Sequence, residues 1–333
     1  MHSSGAVLAI VRRVLVHLKE YGIWTSQAVE TARYADELLA ADALGERATC
    51  EALLLVARPA FHRGELGVAF KLLDRALALA SRGGDPLVQA RAHLWEAIMA
   101  GETGDEPRAT SAARRGQEEA RRSGNLLLQV WTTWIDDTAP DAIERVEALL
   151  RDAEARNMVL PRLVALNGLG YLYHDRRLHR EGARMTKARL AALDTVRQVA
   201  GPDFVALFEN NLGTHLIEIG DVEEGRALLL SSLKLSDSLG WRQEALWPLE
   251  GLAEVQSAIG EWRDALVLFS AWQSAGRDIF LLHRVKSAEQ AAIDAAEEHL
   301  GPEAAAEARA IGERMSYREA VDFAFEINGV TPP

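Results

Sequence analysis

Cysteine is nearly missing from this sequence: only Cys50 is present, at the head of the apolar run Cys50 to Val56. An intrachain disulfide is therefore excluded, and a buried structural thiol in a reducing, cytoplasmic setting is the expected state. Long hydrophobic runs are missing too. No stretch approaches the roughly 18 uncharged apolar residues of a membrane span. The short run Ala6 to Val11 is cut by Arg12 and Arg13 with no small-residue cleavage site behind it, which argues against a secretory leader. Positive charge is scarce: 37 Lys and Arg face 49 Asp and Glu for a net charge of −12. That average field repels polyanions, so direct contact with nucleic acid is not expected. The densest basic stretch, Arg114, Arg115, Arg121 and Arg122, is interleaved with Glu118 and Glu119 at i,i+4 spacing and reads as a self-compensated solvated face. Alternating β-branched runs do not occur, which removes sheet architectures.

What is there is helix. With 48% apolar and 26% charged residues the chain of 333 residues has ample material for a core. Ala, Leu, Glu and Arg dominate each segment, and breaks fall at short punctuations: Arg63-Gly64-Glu65, Thr103-Gly104-Asp105, Ile219-Gly220-Asp221 and Ile259-Gly260-Glu261. The first pair and the last pair are each 40 residues apart, which marks an internal repeat of two helices per unit. Within the units a small residue recurs twelve positions after another: Ala57 and Ala69, Ala97 and Ala109, Gly170 and Gly182, Gly213 and Gly225, Ala253 and Ala265. Helices cross closely only where a contact residue lacks bulk, so these pairs predict the crossing points of successive hairpins. Extending the register through Ala28 and Ala142 gives about seven hairpins. Pro59 falls inside a helix and is expected to kink it, whereas Pro161, Pro202 and Pro302 sit at helix starts. Arg277 to Leu300 reads as one more amphipathic helix. Ser316 and Glu319 form a capping-box signature before Val321, Phe323 and Phe325, so a terminal helix is expected to dock there.

Leu169-Gly170 with Tyr173, Leu212-Gly213 with Leu216, and Ala265 with Phe269 and Trp272 follow the small-residue and aromatic pattern of tetratricopeptide (TPR) units. The array resembles such units, with longer helices than the minimal pair. The fold so implied is all-α, a right-handed superhelical solenoid of about seven TPR-like helical hairpins with a C-terminal capping helix. Its divisions are 1–300 for the repeats, 301–327 for the cap and 328–333 for a disordered tail. The array together with the ending Gly312-Glu313-Arg314-Met315-Ser316-Tyr317-Arg318-Glu319-Ala320-Val321 also resembles the C-terminal sensor region of bacterial LuxR, SARP and maltose-activator-type signalling ATPases. That resemblance implies a non-catalytic TPR protein of bacterial transcriptional regulation, working through protein–protein or inducer binding beside a fused or partner NTPase. The chain itself contains no Gly-x4-Gly-Lys-Ser/Thr phosphate loop and no basic helix-turn-helix.

Catalytic constellations are absent: there is no His-Glu-x2-His, no Gly-x-Ser-x-Gly and no Cys-x2-Cys. His174 and His179 stand five apart beside arginines, a spacing that points the rings apart, so neither catalytic residues, a metal nor a cofactor is expected. A groove is better founded. Projecting the register onto the inner face of the first helix of each hairpin nominates Glu51, Arg58, Arg91, Trp131, Trp134, Asn167, Tyr171, His174, Asn210, Thr214, Trp247, Glu250 and Glu254 as binding residues. Asn167 and Asn210 take equivalent places, where an amide can hold an extended peptide backbone. Trp131 and Trp134 read either as an apolar wall or as core. The partner expected is a protein or peptide, or a small inducer. The competing reading is a free-standing scaffold that oligomerises through its terminal hairpins.

Overall fold

The computed structural model describes residues 44–277 and 287–332, together with Glu37 and Leu39. The hairpin expected around Ala28 lies outside the described residues. The described residues form fifteen helices and no strand. We number them α1 (Glu46–His62), α2 (Leu66–Gly83), α3 (Pro86–Glu102), α4 (Glu106–Ser123), α5 (Leu126–Ile135), α6 (Ala142–Ala155), α7 (Val159–Asp175) and α8 (His179–Val199). The chain continues through α9 (Pro202–Glu218), α10 (Val222–Ser238), α11 (Arg242–Ala258), α12 (Trp262–Arg277), α13 (Ser287–Leu300), α14 (Pro302–Arg314) and α15 (Tyr317–Ile327).

Helices α1 to α12 pair into six antiparallel hairpins, and each second helix also packs on the first helix of the next unit. The first helices, α1, α3, α5, α7, α9 and α11, touch one another in succession and form the inner row. This is an all-α superhelical solenoid of TPR-like hairpins. The row bends far enough for α11 to contact α1, so one turn of the superhelix closes upon itself.

Local chemistry sets the corners. In five hairpin turns the backbone N–H three residues past the helix end reaches back to a carbonyl five residues earlier: Glu65 to Ala60, Asp105 to Ala100, Leu178 to Tyr173, Asp221 to Leu216, and Glu261 to Gln256. This bond needs the intervening residue in the left-handed region, which glycine enters at little cost. Gly220 sits there at φ 89, and Arg177 takes the equivalent place at φ 54. Asp85, Asp105 and Asn125 cap α3, α4 and α5 by accepting backbone N–H bonds.

The crossing points hold for most units. Ala57, Ala69, Ala97, Ala109, Ala142, Ala253 and Ala265 are all buried. At α9/α10 the approach is closest: a methyl on Gly225 would lie 2.7 Å from the carbonyl oxygen of Gly213. The Gly170 and Gly182 pair is a correction. A methyl on Gly182 would meet nothing nearer than Tyr173 Cβ at 3.9 Å, while Gly170 makes room for the Arg189 guanidinium.

At the C-terminal end α14 and α15 both pack on α12, and α15 reaches α11. Gly312 makes the α14 contact possible, since a methyl there would strike the Val267 carbonyl and lie 2.8 Å from Ser270 Cβ. Ser316 and Glu319 complete a reciprocal capping box on α15, which buries Ala320, Val321, Ala324 and Phe325. The tail expected to be disordered opens on bonded residues: Asn328 accepts a bond from Gln256 Nε2 at 3.1 Å, and Val330 N–H reaches the Phe325 carbonyl. Arg277 to Leu300 is not one described helix, because residues 278–286 lie outside the described residues. None of the described helices is long and apolar enough to cross a membrane.

Candidate functional site

The closed turn surrounds a cavity of about 280 Å3 lined by all six inner helices and the start of α4. Of the residues nominated by register, Arg58, Trp131, Trp134, Tyr171, His174, Asn210, Thr214, Trp247, Glu250 and Glu254 line it. Glu51, Arg91 and Asn167 do not, and each has a structural occupation instead. Arg91 Nη1 donates to Glu51 Oε1 at 2.8 Å, a buried ion pair that ties α3 to α1. Two such charges under cover compensate one another's desolvation. Asn167 is fully buried and its Oδ1 accepts from Arg189 Nη2 at 3.0 Å.

Projection missed residues one turn further along the inner helices and others near helix starts. His62 and Trp95 follow Arg58 and Arg91 by four positions and line the cavity, as do Asp203 and Glu244 in the first turns of α9 and α11. The signal available for His62 and Trp95 was the i+4 step on the same face. For Asp203 and Glu244 no periodic signal exists, because their place depends on the closure of the turn.

Closure is made by polar groups. Arg58 of α1 pairs with Asp203 of α9, and His62 Nδ1 lies 2.9 Å from Glu244 Oε1 of α11. The Arg58 guanidinium lies 5.3 Å from the Trp95 ring centre and 5.7 Å from that of Trp241, while the His62 ring lies 5.1 Å from Trp241. Burial pushes the Arg58 pKa down to about 10, and the Glu244 charge opposes that fall. Burial raises the Glu244 carboxyl, but His62 and Arg58 outweigh it and hold its pKa below the usual value. The two pairs join the first described hairpin to the fifth and the sixth.

Aromatic rings form the opposite wall. Trp131 and Trp134 stand 5.3 Å apart, Trp131 meets Phe204 at 6.0 Å, and Trp134 meets Tyr171 at 5.8 Å. Trp131 is buried while Trp134, Tyr171 and Trp247 keep part of their surface open. The two readings of the tryptophan pair thus each describe one ring. Tyr171 donates its hydroxyl to Asp137 Oδ2 at 3.2 Å.

Behind this wall Arg189 of α8 is completely buried, and among the described residues no carboxylate pairs with it. It donates to His215 Nδ1 at 2.8 Å and to Asn167, with the Phe208 ring 5.2 Å away. Burial lowers its pKa to about 9. A guanidinium cannot accept a hydrogen bond, so His215 Nδ1 must be the acceptor and the ring proton of the neutral form sits on Nε2. That assignment bears on His174, His215 and Glu218, whose ligand atoms all lie within 4.8 Å of one another. A protonated Nε2 offers no lone pair to a cation, and a guanidinium stands on the ring's other side. His174 Nδ1 is already engaged with Glu218 Oε2 at 2.7 Å. The His174–Glu218 bond ties α7 to α9.

No protein-family model matches the chain, and no curated protein matches it. Among solved structures it is similar to one described as "Crystal Structure of Rap Protein Complexed with Competence and Sporulation Factor", with a TM-score of 0.56 at 12% identity, covering 97% of each chain. At that identity the likeness establishes the fold alone, a TPR-like helical repeat array.

Proposed function

We propose that this chain is a non-catalytic sensor module that binds a short peptide, or an inducer of similar size, in the cavity inside its closed turn. The observation that carries the reading is that all six inner helices contribute to one cavity mixing partly open aromatic rings with amide, hydroxyl and carboxylate groups. A volume near 280 Å3 suits a small ligand or a few residues of a peptide, not a folded domain. Asn210, Asn211 and Thr214 on one face of α9 supply the paired donors and acceptors that an extended backbone uses. The Rap structure of the same architecture was solved with a factor bound, which supports a binding role for this one. The resemblance in sequence to the sensor regions of bacterial LuxR, SARP and maltose-activator-type ATPases supports a role in signalling or transcriptional regulation, beside an NTPase on the same or another chain.

The scaffold alternative receives no comparable support. Among the described residues the large apolar side chains most open to solvent, Val68, Ile219 and Ile259 among them, are scattered at helix ends and turns. The decisive experiment uses Trp134→Ala and Thr214→Arg, which empty and block the cavity respectively. Ligand capture by Thr214→Arg should fall at least tenfold with the melting temperature held within a few degrees. Undiminished capture by this variant, folded, would remove the cavity from consideration.

A further inference from the structure

The side-chain amides along the cavity wall take their orientation from a residue outside it. Arg189, fully buried behind that wall, carries donors only. Gly170 admits its head: a methyl there would strike Arg189 Nη1 and lie 3.1 Å from its Cζ. Whatever part of Asn167 faces this guanidinium must therefore be the oxygen, and Arg189 Nη2 donates to Asn167 Oδ1 at 3.0 Å. Asn167 Nδ2 is left buried without an acceptor among the described residues. Turning the amide over would set N–H against N–H, so the arginine decides its direction.

That choice passes along the row. Asn211 Nδ2 donates to the same Asn167 oxygen at 3.4 Å, which leaves Asn211 Oδ1 to accept from Asn210 Nδ2, also at 3.4 Å. Asn210 Oδ1 comes last, buried and matched by no donor among the described residues. One turn further along α9, Thr214 directs its hydroxyl proton to the Asn210 carbonyl at 3.1 Å, so its oxygen is left to accept. Asn210, Asn211 and Thr214 line the cavity, whereas Arg189 and Asn167 do not. The unmet demand on this wall is for donors, and a buried acceptor without one is uncommon in a folded protein.

We propose that Arg189 is a positioning residue for the binding face of α9: through Asn167 and Asn211 it turns Asn210 so that its oxygen, with that of Thr214, takes the ligand by backbone N–H groups. This inference rests on the peptide-binding reading above and adds which atoms of the peptide this wall recognises. Asn210 holds a ligand N–H directly, and Arg189 acts three residues away without touching it.

The test compares two equimolar pentapeptide libraries, randomised at all five positions, on the immobilised full chain. One has free peptide nitrogens and the other is methylated at each of them. The wild type should retain the free library about fivefold better, the worth of a hydrogen bond or so. In Asn210→Leu that ratio should fall toward one. Gly170→Ala pushes the flexible tip of Arg189 off Asn167 without entering the cavity, and it should lower the ratio too, with folding of both variants checked by thermal melts. A merely structural injury would weaken retention of both libraries alike and leave the ratio standing, which would overturn the role given to Arg189. Equal retention of the two libraries by the wild type would overturn the N–H inference and keep the peptide reading. Retention of neither would sink the peptide reading and this inference with it.

Discussion

Two glycines that occupy the same repeat position respond oppositely to the same substitution. In Gly225→Ala the new methyl must push against the Gly213 carbonyl and the Ile217 side chain, so α9 and α10 separate and stability falls by about 1–3 kcal/mol. In Gly182→Ala there is ordinary van der Waals space, and the gain in helix propensity stabilises by up to about 1 kcal/mol. Urea melts of the two variants check this; a loss at residue 182 as large as that at 225 would contradict the assigned crossing points. Cys50 gives a second residue-scale expectation. Its thiol donates to the Ala76 carbonyl at 3.2 Å, and burial pushes its pKa up to about 12. A thiol-reactive dye should therefore find nothing in the native protein at pH 8 and one equivalent after denaturation. Its buried placement was legible from the apolar run around it. The role of Gly170 was not legible, because its neighbour is an arginine from the middle of the next helix, outside the twelve-residue spacing.

Elements were read more securely than sites, for a physical reason. Turn residues, caps and small-residue spacing act within a dozen residues, and so the four glycine punctuations each mark a hairpin corner and the Ser316 and Glu319 signature marks the start of α15. Ser316→Ala should destabilise the protein by about 1 kcal/mol and loosen α15 first, seen as faster amide exchange at Val321 and Phe325 than in α12. Uniform acceleration across the chain would argue against a separately fraying cap. The candidate cavity was legible where the inner face repeats, at Tyr171, Thr214, Glu250 and Glu254. It was misread where a charged residue was consumed by its neighbour, as Arg91 is by Glu51. The basic stretch on α4 was read correctly as compensated, although its internal pairs are i,i+3, with Arg121 on Glu118 and Arg122 on Glu119, and Arg115 reaches Glu96 on α3.

At the scale of the molecule the deciding contact is the closure of the turn by Arg58, His62, Asp203 and Glu244. Glu244 has its pKa depressed in the folded state, so its contribution is complete above the ordinary carboxylate value of 4.5 and is lost as pH falls through the lower folded value. Glu244→Gln should cost about 1–3 kcal/mol at pH 7. Its stability curve should converge on that of the wild type as pH falls from 4.5 through the lowered folded value, as denaturation at a series of pH values would reveal. Parallel curves would mean that the closure owes nothing to this charge. No periodicity in the sequence announces such a contact, since it joins residues separated by most of the array and depends on curvature accumulated over every hairpin between them.

An open stack of hairpins behaves like a spring, which tolerates an extra coil or a missing one because each coil answers only to its neighbours. Here the first described coil is bolted to the eleventh helix, so length and pitch are no longer free. Insertion of a further unit between α6 and α7, harmless in an open array, would carry α11 past its mate and break the bolt, making the number of repeats between α1 and α11 a fixed property of this molecule.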